Sequence, residues 1–244
     1  MEHSQRLRLY WSIVLFGGLS AVTGCASVST VASGRNDTAN KLHLRAIDQK
    51  TKAEACRLTA EELAAHGKDN HAIAQFEQAR QLDPEIRGIA HSLAVLYDRQ
   101  GRRDAAHREY TRALEETPRD PDVHNDLGYF LYSQGQYSDA QRSLERALQL
   151  DGEHSKARIN LAMVLAAEGN FDVAFRHFEQ ALGPAAAHHN IGLLQMRAGR
   201  RDEGIVHLRQ AMDRDPSLGS VDVLVAFVPE VAHDSEILPA SLSR

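Results

Sequence analysis

The sequence predicts an all-α solenoid of about five stacked helix hairpins, closed by a C-terminal capping segment. The first observation is a set of glycines, Gly67, Gly101, Gly135, Gly169 and Gly199, separated by 34, 34, 34 and 30 residues. The second is a set of alanines, Ala79, Ala113, Ala147, Ala181 and Ala211, that repeats the same four intervals. The third is the small and large residues at fixed register around each glycine. Seven residues before it stands a small one (Ala60, Ala94, Gly128, Ala162, Gly192), and five after it another (Ala72, Ala106, Ala140, Ala174, Gly204). Nine after it stands a bulky one (Phe76, Tyr110, Leu144, Phe178, Leu208). A period of this length marks a helical unit that buries its apolar face only against its neighbours.

The chain opens with Arg6 and Arg8 before an apolar run at residues 9–22. Fourteen residues are too few for a spanning helix, which needs about 20, but suit the apolar core of a secretory signal. The run leads into "VTGC", an aliphatic residue, a small one, glycine and Cys25. This resembles the bacterial lipoprotein cleavage motif, which implies cleavage before Cys25 and acylation of that cysteine. An ordinary signal peptide followed by a chance cysteine is the alternative. Residues 1–24 are thus assigned to the signal, and 25–39, rich in Ser, Thr and Ala, to the lipidated cysteine and a flexible tether. That tether would reach about 20 Å. With Cys25 consumed, Cys56 is the one remaining cysteine, so no disulfide is expected. Cys56 reads as a small core residue.

Residues 40–216 make up the solenoid. Its first helix is expected to run from about 41 to 66, with Leu44, Ile47, Ala55, Leu58 and Leu63 on a rough apolar face. The third unit shows the hairpin pattern plainly. Leu127, Gly128 and Leu131 form one stripe, and Ala140, Leu144, Ala147 and Leu148 form another. Gly135 sits between them, where a helix end takes a left-handed residue without a Cβ penalty. Gly128 lies inside a helix, at a cost of about 1 kcal/mol against alanine. Facing Ala140, it lets two backbones approach closely. The shortened interval holds "LGPAAAHHN". Four missing residues approximate one helical turn, so Gly183-Pro184 is expected to stop the helix near Ala181 a turn early. Residues 217–232 are assigned to the cap, with Val221, Leu224, Val225 and Val228 on one side and Pro229 as a stop. Their valines leave a strand open. Residues 233–244 read as a disordered tail.

"LGYFLYSQGQYSDAQRSLERAL" and "LAMVLAAEGNFDVAFRHFEQAL" resemble the tetratricopeptide repeat (TPR) family, with its L-G-x2-Y, A-x3-F and P pattern. The resemblance covers about residues 53–216. It departs at Cys56, Ala90, His124, Arg158 and His188, where the family often has tryptophan, at Gly152 in place of proline, and at Thr59 in place of leucine. It implies a right-handed superhelix whose first helices line a concave groove that holds a protein or peptide partner. At groove register stand Glu61, Val95, Tyr129, Met163 and Leu193, and three residues on Ala64, Asp98, Tyr132, Ala166 and Met196. Val95, Tyr129, Tyr132, Met163, Leu193 and Met196 then form an apolar strip, suited to adaptable peptide contacts. The same side chains would serve equally as packing beneath neighbouring helices. Asn160 and Asn190 stand where peptide-binding members place asparagines that hold a ligand backbone or carboxylate, with Arg197 and Lys156 as candidate cations. The third unit has Asp126 there instead.

Net charge is −5, with 43% apolar and 25% charged residues. No cluster of Lys and Arg appears, so a nucleic-acid partner is not expected. The chain holds 13 histidines, but none at H-E-x-x-H or similar ligand spacing. No G-x-S-x-G or phosphate-binding glycine loop is present. The expectation is therefore a non-enzyme with no catalytic or metal-binding residues, no cofactor and no small-molecule substrate. An enzyme with an unrecognised site is the alternative of another class. By lipobox and repeat count the chain resembles pilus-assembly TPR lipoproteins of the PilF/PilW and TadD kind. That implies a lipid-anchored scaffold in the bacterial envelope, supporting pilus or secretin assembly. Ala26 after the cysteine implies the outer membrane, facing the periplasm. An adaptor lipoprotein recruiting peptidases or murein hydrolases is the second reading.

Overall fold

The computed structural model describes the backbone of residues 33–218 and the side chains of residues 41–218. The signal segment, Cys25, the start of the tether, all but the first two residues of the cap and the tail lie outside the described residues. Two units divide the chain, Met1–Ala46 and Ile47–Arg244. Among the described residues all regular structure is helical. The helices are α1 (Ser33–Ala65), α2 (Asp69–Leu82), α3 (Ile89–Arg99), α4 (Arg103–Glu116), α5 (Pro121–Ser133), α6 (Tyr137–Leu150), α7 (Ser155–Ala167), α8 (Phe171–Leu182), α9 (Pro184–Arg197) and α10 (Arg201–Arg214). A short 3-10 turn, Pro216–Leu218, follows. No described helix is long and apolar enough to cross a membrane. From α2 to α10 each helix packs on the next, giving an α-solenoid.

Each hairpin closes in the same way. After α5, Gly135 takes φ 74°. Its N–H donates to the Tyr132 carbonyl at 2.9 Å, and the Gln136 N–H reaches back to Leu131 at 3.0 Å. This 6→1 and 5→2 pair satisfies carbonyls that a helix end leaves open. The same two bonds recur around Gly67, Gly101, Gly169 and Gly199. Only a residue without Cβ takes that φ at no steric cost, which is why the glycine interval reports the hairpin interval.

The register residues meet inside the hairpins. Phe76, Tyr110, Leu144, Phe178 and Leu208 are all buried, as are the alanines that face them. A Cβ at Gly128 would lie 2.5 Å from Leu144 Cγ and 3.2 Å from the Ala140 carbonyl oxygen. Gly128 therefore sets the α5–α6 approach through Leu144 first, and through Ala140 second. Successive repeats are joined by a two-pronged ion pair, Arg80 on α2 donating to both carboxylate oxygens of Glu109 on α4 at 2.8 and 2.6 Å. Tyr110 and Phe130 also meet across repeats as a tilted aromatic pair, with centroids 5.3 Å apart.

Two expectations need correction. Helix α1 begins at Ser33, inside the segment read as tether, and its expected apolar face is largely uncovered: Leu44, Ile47 and Leu58 are exposed. Ala53, Cys56, Ala60, Leu63 and Ala64 make the contacts with the core instead. Four of these five side chains are small, and Leu63 is the large one among them. The second correction concerns the short interval. Helix α8 ends at Leu182, one residue past Ala181, whereas α6 runs three residues past Ala147 to Leu150. The helix thus loses half a turn, not a full one. The connection loses three residues, from 151–154 between α6 and α7 to Gly183 alone between α8 and α9, and α9 is one residue longer than α7. Gly183, at φ 83° and ψ 168°, permits that one-residue reversal, and Pro184 starts α9 at its first position.

Candidate functional site

The odd-numbered helices α3, α5, α7 and α9 touch one another in succession, in addition to their hairpin partners. They form the inner wall of the array, and the predicted strip lies on them. Val95, Tyr129, Tyr132 and Met196 are half-buried there, and Arg197 is exposed at the end of α9. Tyr129, Tyr132 and Tyr137 form a continuous aromatic run, with centroid separations of 6.3 and 5.9 Å. Met163 and Leu193 are only 6% and 5% exposed. They lie deeper than an open strip requires. The usable apolar surface is therefore centred on α3 and α5.

The asparagines are engaged. Asn160 donates through Nδ2 to Asn125 Oδ1 at 2.9 Å, and Asn125 donates to Asp126 Oδ1 at 2.9 Å. Asp126 Oδ2 lies 2.8 Å from His91 Nε2. A polar chain thus links α7, α5 and α3 across three repeats, with Asn125 only 3% exposed. Asn190 is 1% exposed. It donates to the carbonyl of Ala186 on its own helix at 2.9 Å, while its Oδ1 is buried without a partner among the described residues. Asn160, Asn190 and Arg197 are therefore not assembled as an open carboxylate-holding set. Sequence reasoning identified Asn160 by register and noted Asn125 beside Asp126, but not the part that Asn125 and His91 play, which becomes visible only through the cross-repeat bonds.

Electrostatics follow from these contacts. Burial works against a charged His91, yet the hydrogen bond and charge of Asp126 outweigh it and hold the imidazole above its ordinary pKa. At the other end, His188 Nδ1 and His207 Nδ1 lie 2.9 Å apart across the α9–α10 hairpin. One Nδ1 must donate and the other accept, so the two rings cannot both be imidazolium while the bond stands. Burial lowers the pKa of His188, with the Arg214 and His207 charges adding to it. Burial also lowers His207, against the opposing pull of Asp172 and Glu203. Beside the pair is a cavity of about 360 Å³ lined by Phe171, Phe175 and Ile191. The pairing escaped the sequence because its members are 19 residues apart on different helices. Among the described residues no group of three or more His, Cys, Asp or Glu is placed to hold a metal ion.

Stacked hairpins with a half-exposed inner wall define a helical-repeat scaffold of the protein-interaction class. Three family models, each described as a tetratricopeptide repeat, match residues 91–140, 121–183 and 185–218. The chain belongs to the tetratricopeptide repeat family. No curated protein sequence matches it. Solved structures resemble it in fold. YrrB, described as a TPR protein with an unusual peptide-binding site, is 24% identical with a TM-score of 0.56, over 71% of this chain and 92% of that one. PilF of Pseudomonas aeruginosa is 23% identical with a TM-score of 0.57, over 71% and 79%. PilW, described as a widely conserved type IV pilus biogenesis factor, is 20% identical with a TM-score of 0.59, over 71% and 81%.

Proposed function

We propose that this protein is a non-catalytic, lipid-anchored scaffold of the bacterial cell envelope that holds another protein against its inner wall. The observation that carries the reading is the placement of Val95, Tyr129 and Tyr132 half-exposed on successive first helices. Aromatic side chains at the centre of a contact commonly supply most of its binding energy. The lipobox ending at Cys25 supports an anchor, and two or more acyl chains hold a protein stably in a bilayer. Ala26 favours the outer membrane, with the solenoid in the periplasm. The fold likeness to PilF and PilW favours a role in pilus or secretin assembly, an analogy of fold.

The test is site-specific photo-crosslinking in cells, with the photoreactive residue at position 129 or, on the outer face, at position 145. Adducts from position 129 and none from 145 are expected. Adducts confined to 145 would reject the inner wall as the binding surface. A secretin or pilus component in the adduct supports the assembly role, whereas a peptidase or murein hydrolase would replace it with the adaptor reading. In parallel, labelled palmitate should enter the wild type and not Cys25→Ala, and the variant should leave the membrane fraction. A wild type that takes up no label would overturn the anchor.

A further inference from the structure

In the last hairpin both small crossing positions are glycine, Gly192 on α9 and Gly204 on α10. A Cβ on Gly192 would lie 2.7 Å from Leu208 Cγ and 3.0 Å from the Gly204 carbonyl oxygen. One on Gly204 would lie 2.7 Å from Met196 Cγ and 2.8 Å from the Gly192 carbonyl oxygen. The two helices therefore meet backbone against backbone. His188 stands four residues before Gly192 and His207 three after Gly204, about one turn along the same crossing. The approach that the glycines set brings the rings together, with centroids 5.1 Å apart and the Nδ1 atoms at 2.9 Å. Phe175 on α8 lies against both, its centroid 4.7 Å from His188 and 6.0 Å from His207. In the other four hairpins these two positions never hold two histidines.

A hydrogen bond between two Nδ1 atoms stands while at most one ring is an imidazolium. When both are charged, each Nδ1 donates, the bond is lost and two like charges face each other. The surroundings do not offset this. On α8, Asp172 and Arg176 share a cavity wall with the two rings, and Asp172 attracts a charged His207. On α10, Glu203 attracts a charged His207, whereas Arg214 repels a charged His188. Two carboxylates and two guanidiniums leave the second charge uncompensated. Among the described residues no charged group of α7 or of the Pro216–Leu218 turn acts on either ring. Burial is the leading cause that holds both imidazoles below their ordinary value of 6.5. Opening returns the rings to water, so the open hairpin binds more protons below that pH, and closure weakens as pH falls. Helix α10 has little else to hold it: among the described residues it packs on α9 and on the turn that follows it. The end unit of a solenoid rests on a neighbour at one side only.

We propose that the His188–His207 contact is a proton-operated latch: it holds α10 on α9 while at most one ring is charged, and protonation of both rings releases α10. Release uncovers Leu208 and Ala211, both buried in the closed hairpin. Acid thus changes the surface at this end of the solenoid. The latch stands on the geometry of this hairpin alone and goes beyond the inner wall's role in binding.

The experiment is amide hydrogen exchange on the full chain in detergent, read by mass spectrometry at pH 7.5 and pH 5 and corrected for the intrinsic pH dependence of exchange. Relative to peptides from α3 to α6, peptides from α10 should lose about tenfold or more of their protection at pH 5. Each proton taken up on opening shifts the equilibrium by about tenfold per pH unit below the ordinary value. His207→Gln keeps a donor and an acceptor but takes no charge, so its α10 should hold the same relative protection at both pH values. His188→Gln should behave alike. His189→Gln, beside the contact but outside it, should respond to acid as the wild type does. An α10 as well protected at pH 5 as at pH 7.5, relative to α3–α6, would overturn the proposal. So would an acid response that persists in both glutamine variants of the pair. Should a variant not fold, nitrogen NMR of the wild-type histidines carries the test, since the loss of α10 protection must follow the titration of His188 and His207. Both rings charged at pH 5 while α10 stays protected would mean that the rings part by turning, and that no latch exists.

Discussion

Gly128→Ala isolates the contact on which the third hairpin is built. The added methyl would meet Leu144 Cγ at 2.5 Å and Cδ2 at 2.9 Å, with the Ala140 carbonyl oxygen at 3.2 Å. Leu144 is fully buried, and the nearest atom is its branch point, so a rotation of the side chain's end does not clear the clash. Overpacking of this kind costs about 1–3 kcal/mol, while alanine gains about 1 kcal/mol over glycine within a helix. The single change is thus expected to be neutral to destabilising by about 2 kcal/mol. The informative quantity is the coupling with Leu144→Ala. With Cγ and Cδ2 gone, the helix-propensity gain of Gly128→Ala should emerge, making the second substitution stabilising. The double-mutant cycle should therefore return a coupling of about 1–3 kcal/mol, read from urea unfolding followed by far-UV circular dichroism. Gly128→Leu, with more volume at the same place, should be worse than Gly128→Ala. If Gly128→Ala has the same effect with leucine and with alanine at 144, the assigned close approach is wrong.

Acid should destabilise the solenoid. Burial is the leading cause that holds His177, His188, His189 and His207 below the ordinary histidine value of 6.5. Below that pH the unfolded chain binds more protons than the folded one, so the stability present above it is lost as pH falls. His91, held above 6.5 by Asp126 against burial, contributes in the opposite sense, losing its contribution as pH rises through its raised value. The four outnumber the one, and melting temperature should be lower at pH 5 than at pH 7.5; an equal or higher value at pH 5 would contradict the burial argument. Asp120→Ala should cost about 1 kcal/mol, because Asp120 Oδ1 accepts the Asp122 N–H at 2.9 Å and caps α5. An unchanged urea midpoint would show that the cap contributes nothing.

The hairpins were legible in the sequence because their causes are local. A left-handed φ at Gly135 is a matter of one residue's sterics, and the small residue seven positions earlier marks where two helices of one hairpin cross. Family register likewise placed Val95, Tyr129 and Tyr132 on the inner wall before any coordinates. What the tertiary structure decided is depth and partnership. Met163 and Leu193 share that register yet are buried, because coverage depends on helices from neighbouring repeats. The structure also took the four-residue deficit from the end of α8 and from the connection, reduced to Gly183, while α9 gained a residue over α7, a division that a count of residues does not predict. Likewise His91, Asp126, Asn125 and Asn160 become one polar chain, and His188 meets His207, only when separate helices cross. Periodicity assigns a side chain to a face of its helix; burial and hydrogen bonding arise from what the fold places opposite that face, at sequence separations where no local rule acts.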